Sequence, residues 1–464
     1  MCHDVTAAMD ILLLSTYELG HQPLGLARPA AHLSAAGHQV TCADLSVQHL
    51  PRQAVRKADF VGISIPMHTA TRLGVRLAER VRSLNPRAHL CFYGLYASLN
   101  AETLLDRFAD SVVGGEFEAP LVELSSRLQH GQSAAGLGVQ TSSGGDVFLG
   151  RQPFELPRRE LLPPLDRYAR LDDGVGQKLA GYVEGSRGCA HRCLHCPITP
   201  VYGGRLRIVP AEVVLEDIRR LVVEHGAEHI TFGDPDFFNG VKHSLAIVEA
   251  LHEEFPRVTY DATIKIEHLL EHRDLLPRLK ASGCLFVVSA VESIDDRVLA
   301  NLRKGHTGAE VVEALALVRE AGLVLRPTFV PFTPWTDLGG YLELLEFVAE
   351  HGLVRHVDSV QLAVRLLVPR GSSLIGTPGM AGVLGGFDPA TFTYAWKHGD
   401  PRVDALQAQV AALVEDAANR SADPDDVFAR IYALTRASLG LPSSPPRLAP
   451  ASRPVPRLTE PWFC

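Results

Sequence analysis

The sequence predicts an α/β protein in which a doubly wound domain precedes a partial (β/α)6 barrel and a helical, proline-rich C-terminal extension. Apolar runs alternate with helical patterns up to about residue 130, and a second alternation begins at residue 182. At 464 residues the chain is also longer than one hydrophobic core usually serves. We therefore expect a first domain over 1–130, a linker over 131–181, a barrel over 182–375 and an extension over 376–464.

The first domain starts with the apolar run at 11–14, which a glycine- and proline-containing loop separates from a helical pattern ending before Gly37. Further strands and helices alternate as far as His130. This order is typical of a doubly wound parallel sheet, whose ligands bind at the carboxyl ends of the strands. The loops after these strands are therefore candidate ligand contacts.

The barrel follows a linker rich in serine, glycine and proline. Helical patterns separate its six predicted strands, which are YVEGS, HITFGD, VTYDATI, CLFVVSAV, LVLRPTFVPF and SVQLAVRLL. Barrel enzymes of this kind carry their active sites on the loops after the strands. Past Pro369 the alternation weakens, one more long helix is predicted, and the chain ends in a proline-rich arm.

Composition and charge narrow the classes of function. Apolar residues make up 46% of the chain and charged residues 21%, which is typical of a folded globular protein. The net charge of −8 without a basic run argues against a nucleic-acid footprint. The N-terminus lacks a basic region and a long apolar core, and the eight cysteines show no paired spacing. We expect a cytoplasmic protein with no membrane partner.

Three cysteines lie within eight residues of the segment GCAHRCLHCP, namely Cys189, Cys193 and Cys196. A zinc site would use His191 or His195 as a further ligand, but structural zinc sites normally bring a second cysteine pair, and none follows. Three merely structural thiols would have unusually polar neighbours. An iron–sulfur cluster is the third interpretation, in which three thiolates hold a cubane and leave its fourth iron open for a ligand. We favour this interpretation because the loop follows the first barrel strand.

The CxxxCxxC spacing of these cysteines resembles the radical S-adenosylmethionine (SAM) superfamily. The resemblance implies a four-iron four-sulfur cluster whose open iron binds the amino and carboxylate groups of SAM. It also implies one-electron cleavage of SAM to a 5′-deoxyadenosyl radical, with an electron donor such as flavodoxin or ferredoxin. The sequence departs from the family at His195, where the family usually has an aromatic residue.

Further barrel residues match SAM-binding positions of this family. The turn at Gly233 and Asp234, with Asp236 close by, resembles the acidic turn that receives the SAM ammonium group. The alternative is an ordinary turn in which an aspartate caps a helix. A solvated lysine is likewise the alternative at the third strand. The SAM contacts that the resemblance implies are Gly233, Asp234, Lys265, Ser289 and Glu292.

A doubly wound, Rossmann-like domain in front of such a barrel resembles the cobalamin-binding group of the superfamily. The chain has no DxHxxG motif to supply a lower axial histidine, which members of this group generally lack. Glycines would let the backbone approach a corrin ring, although glycines in βα turns also serve tight geometry alone. A degenerate nucleotide fold or a docking platform is the alternative. The implied cobalamin contacts are Pro23, Leu24, Gly25, Ser64, Met67, Tyr93, Gly94, Gly114, Gly115 and Glu116.

The C-terminal sequence RLTEPWFC resembles a subgroup of cobalamin-type radical SAM proteins named for a CCAEP or CUAEP tail. Here Arg457 and Leu458 replace the paired thiols of that tail, and Thr459 replaces its alanine. Cys464 remains as a candidate catalytic thiol that folds back to the active site. The alternative is a frayed chain end.

These resemblances together imply a radical SAM enzyme that uses cobalamin to methylate an unactivated carbon of a small metabolite. Two alternatives within enzymes are rearrangement and transfer of another SAM-derived group to a soft acceptor. A tRNA methylthiotransferase is disfavoured because Cys2, Cys42 and Cys91 do not form the second cysteine triad of that family. A cobalamin- or metal-binding sensor without turnover is the alternative from another class.

Overall fold

The computed structural model describes residues 8–448 and 455–460, and each half of the chain is built on a largely parallel sheet. Cys464, the candidate catalytic thiol, lies outside the described residues. No helix in the described ranges has both the length and the apolar composition needed to cross a membrane.

The first half is a doubly wound domain. Its elements are β1 (Asp10–Ser15), α1 (Leu24–Ala35), β2 (Gln39–Asp44), α2 (Arg52–Lys57), β3 (Phe60–Ser64), α3 (His68–Leu84), β4 (His89–Tyr93), α4 (Leu95–Leu99), α5 (Ala101–Arg107), β5 (Ser111–Val113), α6 (Glu118–Gln129) and β6 (Val139–Gln140). The strand order is β2-β1-β3-β4-β5-β6, with the first five strands parallel and β6 antiparallel to β5. Since β1 lies between β2 and β3, the direction of winding reverses there, which places a ligand crevice beyond the ends of β1 and β3.

Apolar side chains on both faces hold this sheet. One core cluster packs β1 and β3 against α3, and a second packs the opposite face against α1 and α6. Strand β1 is buried over its whole length after Asp10. Such continuous burial is expected for a parallel strand covered by helices on both sides.

The segment after β6 is more structured than a surface linker. It contains two 3-10 helices, Arg159–Leu161 and Leu165–Arg167, followed by β7 (Arg170–Asp172) and β8 (Gln177–Val183). Strand β7 pairs antiparallel with β8 and so extends the second sheet. The sequence did not indicate these strands, because only a few residues of this polar, proline-rich segment join a sheet.

The second half begins with β8 and forms a half-barrel. Its further elements are β9 (Ser186–Gly188), α7 (Ile198–Tyr202), β10 (Leu206–Ile208), α8 (Ala211–Val223), β11 (His229–Phe232), α9 (Val241–Glu254), β12 (Thr259–Thr263), α10 (Ile266–Glu271), α11 (Leu276–Ala281), β13 (Cys284–Glu292), α12 (Asp296–Leu302), α13 (Gly308–Glu320), β14 (Val324–Phe329) and α14 (Leu338–Glu350). Two more 3-10 helices, Phe237–Gly240 and Arg273–Leu275, lie between them. Strands β8, β11, β12, β13 and β14 are parallel and neighbour one another in that order.

The sixth predicted barrel strand is reduced to one parallel bridge between Phe332 and Arg365. The preceding residues form a 3-10 helix, Ser359–Ala363, instead of a strand. Side chains bind this segment to the barrel: the Phe329 amide donates to Gln361 Oε1 at 3.3 Å, and Tyr341 Oη donates to the Leu362 carbonyl at 2.8 Å. The apolar run that suggested a strand therefore reflects burial under α14 and the C-terminal helices.

The helices of the C-terminal extension pack against α14 and the 3-10 helix Ser359–Ala363. The extension comprises the 3-10 helix Pro378–Met380, β15 (Leu384–Asp388), β16 (Thr393–Trp396), α15 (Pro401–Asn419), α16 (Pro424–Ser438) and β17 (Arg457–Leu458). The helices α15 and α16 join the main barrel core through residues such as Val410 and Ile431. Strand β17 pairs antiparallel with β7 at the sheet edge.

Candidate active site

The carboxyl ends of the two sheets face a common cavity of about 560 Å³. The first domain contributes loops after β1, β3, β4 and β5, and the half-barrel contributes the cysteine loop and the ends of β8, β11, β12 and β13. A small apolar cluster around Tyr96 and Tyr202 joins α4 to α7 beside this cavity. We call it the cofactor cavity, because both predicted cofactor sites open into it.

The cysteine loop lines one wall of the cofactor cavity. Cys189, Cys193 and Cys196 all reach this cavity. The short hairpin of β9 and β10 presents the start of the loop, and Gly188 turns the chain with a φ of +72°. A side chain at Gly188 would meet the Arg205 carbonyl oxygen at 2.3 Å, so only glycine fits. The Leu194 amide donates to the Leu302 carbonyl at 2.9 Å, which fixes the loop to the barrel.

The three thiols fit an iron–sulfur cluster. None of them forms a disulfide, and burial raises the pKa of Cys189 and raises that of Cys196 to about 12. Cysteines that line one cavity can ligate a metal cluster as thiolates, because the cluster's positive charge offsets the cost of ionising them in a buried site. His191 is not positioned as a fourth ligand, because its Nε2 lies 3.0 Å from Asp236 Oδ2 and its Nδ1 lies 3.2 Å from Lys265 Nζ. His191 therefore does not complete a closed zinc site with the three cysteines.

The acidic turn after β11 separates into two carboxylates with different surroundings. Asp234 accepts hydrogen bonds from the Gly185 amide at 2.8 Å and from Ser186 Oγ at 2.5 Å, and it does not line the cofactor cavity. Burial raises its pKa to about 7. The oxygens of Asp234 thus fix the backbone after β8, and its contact with the SAM ammonium group stays a prediction.

Asp236, two residues further along the same turn, faces the cofactor cavity. It lines the cofactor cavity, and its Oδ2 lies 3.0 Å from His191 Nε2 and 2.7 Å from His268 Nδ1. Burial opposes ionisation, but hydrogen bonds from these two imidazoles hold the pKa of Asp236 well below its ordinary value. An ionised carboxylate therefore faces the cysteine loop. The sequence places Asp236 close to Asp234, but it does not show which of the two carboxylates faces the cavity. The direction in which the turn runs decides this.

Lys265 and Glu292 line the cofactor cavity as predicted. Lys265 Nζ lies 2.7 Å from Glu267 Oε2. Glu292 Oε1 lies 3.1 Å from His195 Nε2 and 3.3 Å from Lys304 Nζ. Burial disfavours the charge of Glu292, but Lys304 and then His195 lower its pKa to about 2. Lys304 is not among the residues predicted from the sequence, because no local pattern marks this lysine as part of a site.

Gly233 and Ser289, two further predicted SAM contacts, lie in different surroundings. Gly233 lines the cavity, where a side chain would collide with Tyr182 Oη at 2.0 Å, so the close approach of the two strands requires glycine. Ser289 is fully buried, and its Oγ has neither a cavity position nor a hydrogen-bond partner among the described residues. The side chains of β13 alternate between faces, and Val288 and Ala290 are the ones that face the cavities. Ser289 thus lies on the face of β13 turned away from these cavities, and its SAM contact stays a prediction.

The predicted cobalamin contacts divide into two sets. Those that line the cofactor cavity are Leu24, Gly25, Ser64, Met67, Gly94 and Gly115. Those that do not line it are Pro23, Tyr93, Gly114 and Glu116. Tyr93 is instead a fully buried core residue whose Oη donates to the Gly25 carbonyl at 2.7 Å. Gly114 packs against Ser98, where a side chain would come within 2.4 Å.

Glu116 belongs to a buried charge network between the two halves. Arg187, two residues before Cys189, lies 2.5 Å from Glu118 Oε1 and 3.3 Å from Glu116 Oε2. Tyr202 Oη donates to Glu116 Oε1 at 2.9 Å. The side chain of Glu184, which also contacts Arg28, lies 3.3 Å from Arg187. Glu116 therefore anchors the cysteine loop, and its contact with cobalamin stays a prediction.

Two family models match successive parts of the chain. The B12 binding domain matches residues 11–125, and the radical SAM superfamily matches residues 183–345. A curated relative is the hopanoid C-3 methylase of Methylococcus capsulatus, which is 28% identical over 68% of this chain. That alignment spans 62% of the relative, so the chain matches less than two thirds of its length.

Solved structures share the fold across both halves. The cobalamin-dependent SAM radical enzyme OxsB, with aqua-cobalamin and SAM bound, superposes with a TM-score of 0.71 at 15% identity. The alignment covers 93% of this chain and 72% of OxsB. The radical SAM methyltransferase TsrM from Kitasatospora setae, with tryptophan and a SAM analogue bound, gives a TM-score of 0.65 at 18% identity over 94% and 96% of the two chains. With a B12 binding domain preceding a radical SAM domain on one cofactor cavity, the chain belongs to the cobalamin-binding radical SAM enzymes.

Proposed function

We propose that this enzyme methylates an unactivated carbon of a small metabolite. In this proposal Cys189, Cys193 and Cys196 hold a four-iron four-sulfur cluster, and the first domain holds cobalamin. We also propose a flavodoxin or ferredoxin as the electron donor. The functional boundaries that we propose are 1–130 for the cobalamin domain, 131–181 for the connecting segment, 182–375 for the barrel and 376–464 for the extension.

One observation carries the proposal: a single cavity joins the three cysteines to the carboxyl edge of the first sheet. A cluster and a corrin held on opposite walls of this space would face the same substrate. When bound, the cluster, SAM and cobalamin would supply the electron, the radical and the methyl group. The protein would supply their placement and a site from which water is excluded.

The polar residues of the cavity suit the amino-acid part of SAM. Asp236 is an ionised carboxylate for the ammonium group, and Lys265 is a cation for the carboxylate. Glu292, fixed by Lys304 and His195, offers a second acceptor at the end of β13. On the opposite wall, Gly25, Gly94 and the neighbouring small residues leave backbone open to a large ring. The similarity to a methylase and to a methyltransferase supports methyl transfer as the outcome.

The test uses the full chain, reconstituted anaerobically with iron, sulfide and cobalamin. We expect cluster absorption, bound corrin, and reductant-dependent conversion of SAM to 5′-deoxyadenosine and S-adenosylhomocysteine. Cys193→Ala should lose the cluster absorption and 5′-deoxyadenosine formation. Cys284→Ala is the matched control, because Cys284 is a buried thiol that lies outside the cofactor cavity.

The products separate the alternatives. Formation of 5′-deoxyadenosine without S-adenosylhomocysteine or a methylated product would indicate non-methylating radical chemistry. Binding of cobalamin without consumption of SAM would indicate a sensor. A wild-type protein that binds no iron after reconstitution would contradict the proposal as a whole.

A further inference from the structure

A second cavity of about 200 Å³ lies inside the half-barrel and opens into the cofactor cavity. The side chains of β11, β12, β13 and β14 surround it, so it occupies the lumen behind the SAM-binding turn. We call it the inner cavity. The residues that line both cavities are Leu19, His21, Tyr182, Gly233, Pro235 and Thr263.

The C-terminal segment 455–460 forms part of the inner cavity's wall. Its Thr459 exchanges two hydrogen bonds with the Arg170 backbone, at 2.8 and 2.9 Å. Arg326 Nη1 donates to the Pro456 carbonyl at 3.2 Å. These contacts bring Leu458 and Glu460 to the cavity, although they follow β14 by more than a hundred residues.

Glu460 also contacts the first domain. Tyr17 Oη donates to Glu460 Oε1 at a long 3.4 Å. Gly20 has a φ of +72°, and a side chain there would come within 2.6 Å of Glu460 Cβ. The loop after β1 is therefore shaped to admit this glutamate. Glu460 lies where the first domain, the barrel lumen and the C-terminal segment meet.

The other charged groups of the inner cavity already have protein partners. Arg326 Nη2 lies 2.8 Å from Asp358 Oδ2. Asp261 Oδ1 accepts from Thr231 Oγ1 at 2.7 Å and lies 2.8 Å from His229 Nε2. Asp234 accepts from the backbone and hydroxyl after β8. Among the described residues, Glu460 has no ion-pair partner.

The net charge of the wall indicates which ligands it favours. The carboxyl groups of Asp261, Asp358 and Glu460 and the guanidinium of Arg326 line the inner cavity, together with Asp234, whose pKa burial raises to about 7. Burial lowers the pKa of the two histidines in this wall, His21 and His356. An anionic ligand would face this excess of carboxyl groups at short range, whereas a cation would compensate it. Apolar surface from Phe286, Val288 and Leu458 is available for a carbon skeleton.

We propose that the inner cavity binds the substrate and that Glu460 recognises a protonated amine on it. That the bound amine is the substrate rests on the proposed function, whereas its binding through Glu460 does not. An ammonium group carries three donors and no acceptor, which suits a carboxylate that has one weak hydrogen bond. The cavity is smaller than the sites of about 300–1,000 Å³ that hold drug-sized ligands, so the substrate portion inside it is a small aminated chain.

The test compares three probes of equal chain length: n-butylamine, n-butanol and butyrate. Each is titrated at neutral pH against the full reconstituted chain by saturation-transfer NMR. We expect butylammonium to bind more tightly than the other two. Glu460→Gln should weaken butylammonium binding by about tenfold or more, because a charge-assisted hydrogen bond is lost while the shape is kept.

Glu346→Gln is the matched control, since Glu346 is also a half-buried carboxylate that accepts from a tyrosine, at 3.2 Å from Tyr432 Oη, far from the cavity. It should leave the binding unchanged. Equal binding of butyrate and butylammonium to the wild type, or unchanged binding in Glu460→Gln, would overturn the inference. Coincident thermal melts of the three proteins would show that both substitutions fold.

The binding experiment contains no reductant, so it does not depend on SAM cleavage. If the wild type binds butylammonium through Glu460 but produces no 5′-deoxyadenosine in the separate assay, the proposed function fails and the amine site stands. If 5′-deoxyadenosine forms but Glu460→Gln has no effect on butylammonium, the amine site fails and the function stands.

Discussion

At the residue scale, the two aspartates of the turn after β11 show that the orientation of a side chain determines its role. Asp234 and Asp236 are separated by one proline, and both are nearly inaccessible to solvent. Asp234 faces the backbone after β8, where burial raises its pKa to about 7. Asp236 faces two imidazoles and stays ionised. One carboxyl group is thus structural and the other is available to a cofactor.

The raised pKa of Asp234 predicts a pH-dependent stability. Its pKa is 3.8 in the absence of interactions and about 7 in the fold, so the native state holds the proton more tightly than the unfolded state. The stabilisation is complete below about pH 4 and is lost as the pH rises through about 7. As the pH rises from 5 to 8, the wild type should therefore lose on the order of 3 kcal/mol in the free energy of unfolding relative to Asp234→Asn.

Urea unfolding at both pH values measures this loss. Asp146→Asn, in an exposed loop, serves as the control and should show the same pH dependence as the wild type. If the difference between Asp234→Asn and the wild type is the same at pH 5 and pH 8, Asp234 is ionised in the fold and the explanation is incorrect.

At the element scale, strand β9 connects the cysteine loop to the first domain. Its Arg187 reaches the N-terminal turn of α6 at Glu118. Burial opposes the charge of Glu118, but the guanidinium of Arg187 lowers its pKa to about 2. Because a three-residue strand has little packing surface, we expect this ion pair to help fix β9 against the first domain.

Removing Arg187 should therefore be costly. Arg187→Met leaves Glu116 and Glu118 buried without their cation, and we expect a loss of about 3–5 kcal/mol in the free energy of unfolding. Chemical denaturation of the full chain measures it. Arg219→Met removes an exposed arginine paired with Glu254 and should change stability little. Equal effects of the two substitutions would show that the network contributes no more than a surface pair.

At the scale of the whole molecule, the active site exists only because two sheets present their carboxyl edges to each other. The cofactor cavity takes residues from both halves, and the C-terminal segment closes the inner cavity after crossing back to β7. Three parts of the chain that are distant in sequence thus share one site. A deep cavity between domains is a common place for large cofactors.

The shared cavity predicts how a bulky substitution on the first-domain wall will act. Met67 lines the cavity at the start of α3, and Met67→Trp should reduce cobalamin retained after gel filtration by about tenfold or more, since the added ring occupies the ligand's space. Corrin absorption per chain measures retention. Val175→Trp, at a position that is 95% exposed, should retain cobalamin as the wild type does. Full retention by Met67→Trp would place cobalamin elsewhere.

The sequence by itself determined the order of elements, because alternating apolar runs and helical patterns are local signals. It also identified the three cysteines as one site, because their spacing within eight residues is a property of one loop. The glycines at the strand ends were identified in the same way. It erred at the sixth barrel strand, where an apolar run is buried without joining the sheet.

Tertiary structure alone decided which side chains face the cavity. Ser289 and Val288 are neighbours on one strand, yet opposite faces make one a core residue and the other a wall of the site. Glu116 and Arg187 meet across two domains, and Glu460 reaches the lumen from the far end of the chain. Local patterns carry no information about such pairs, because distant segments meet only through the packing of the complete fold.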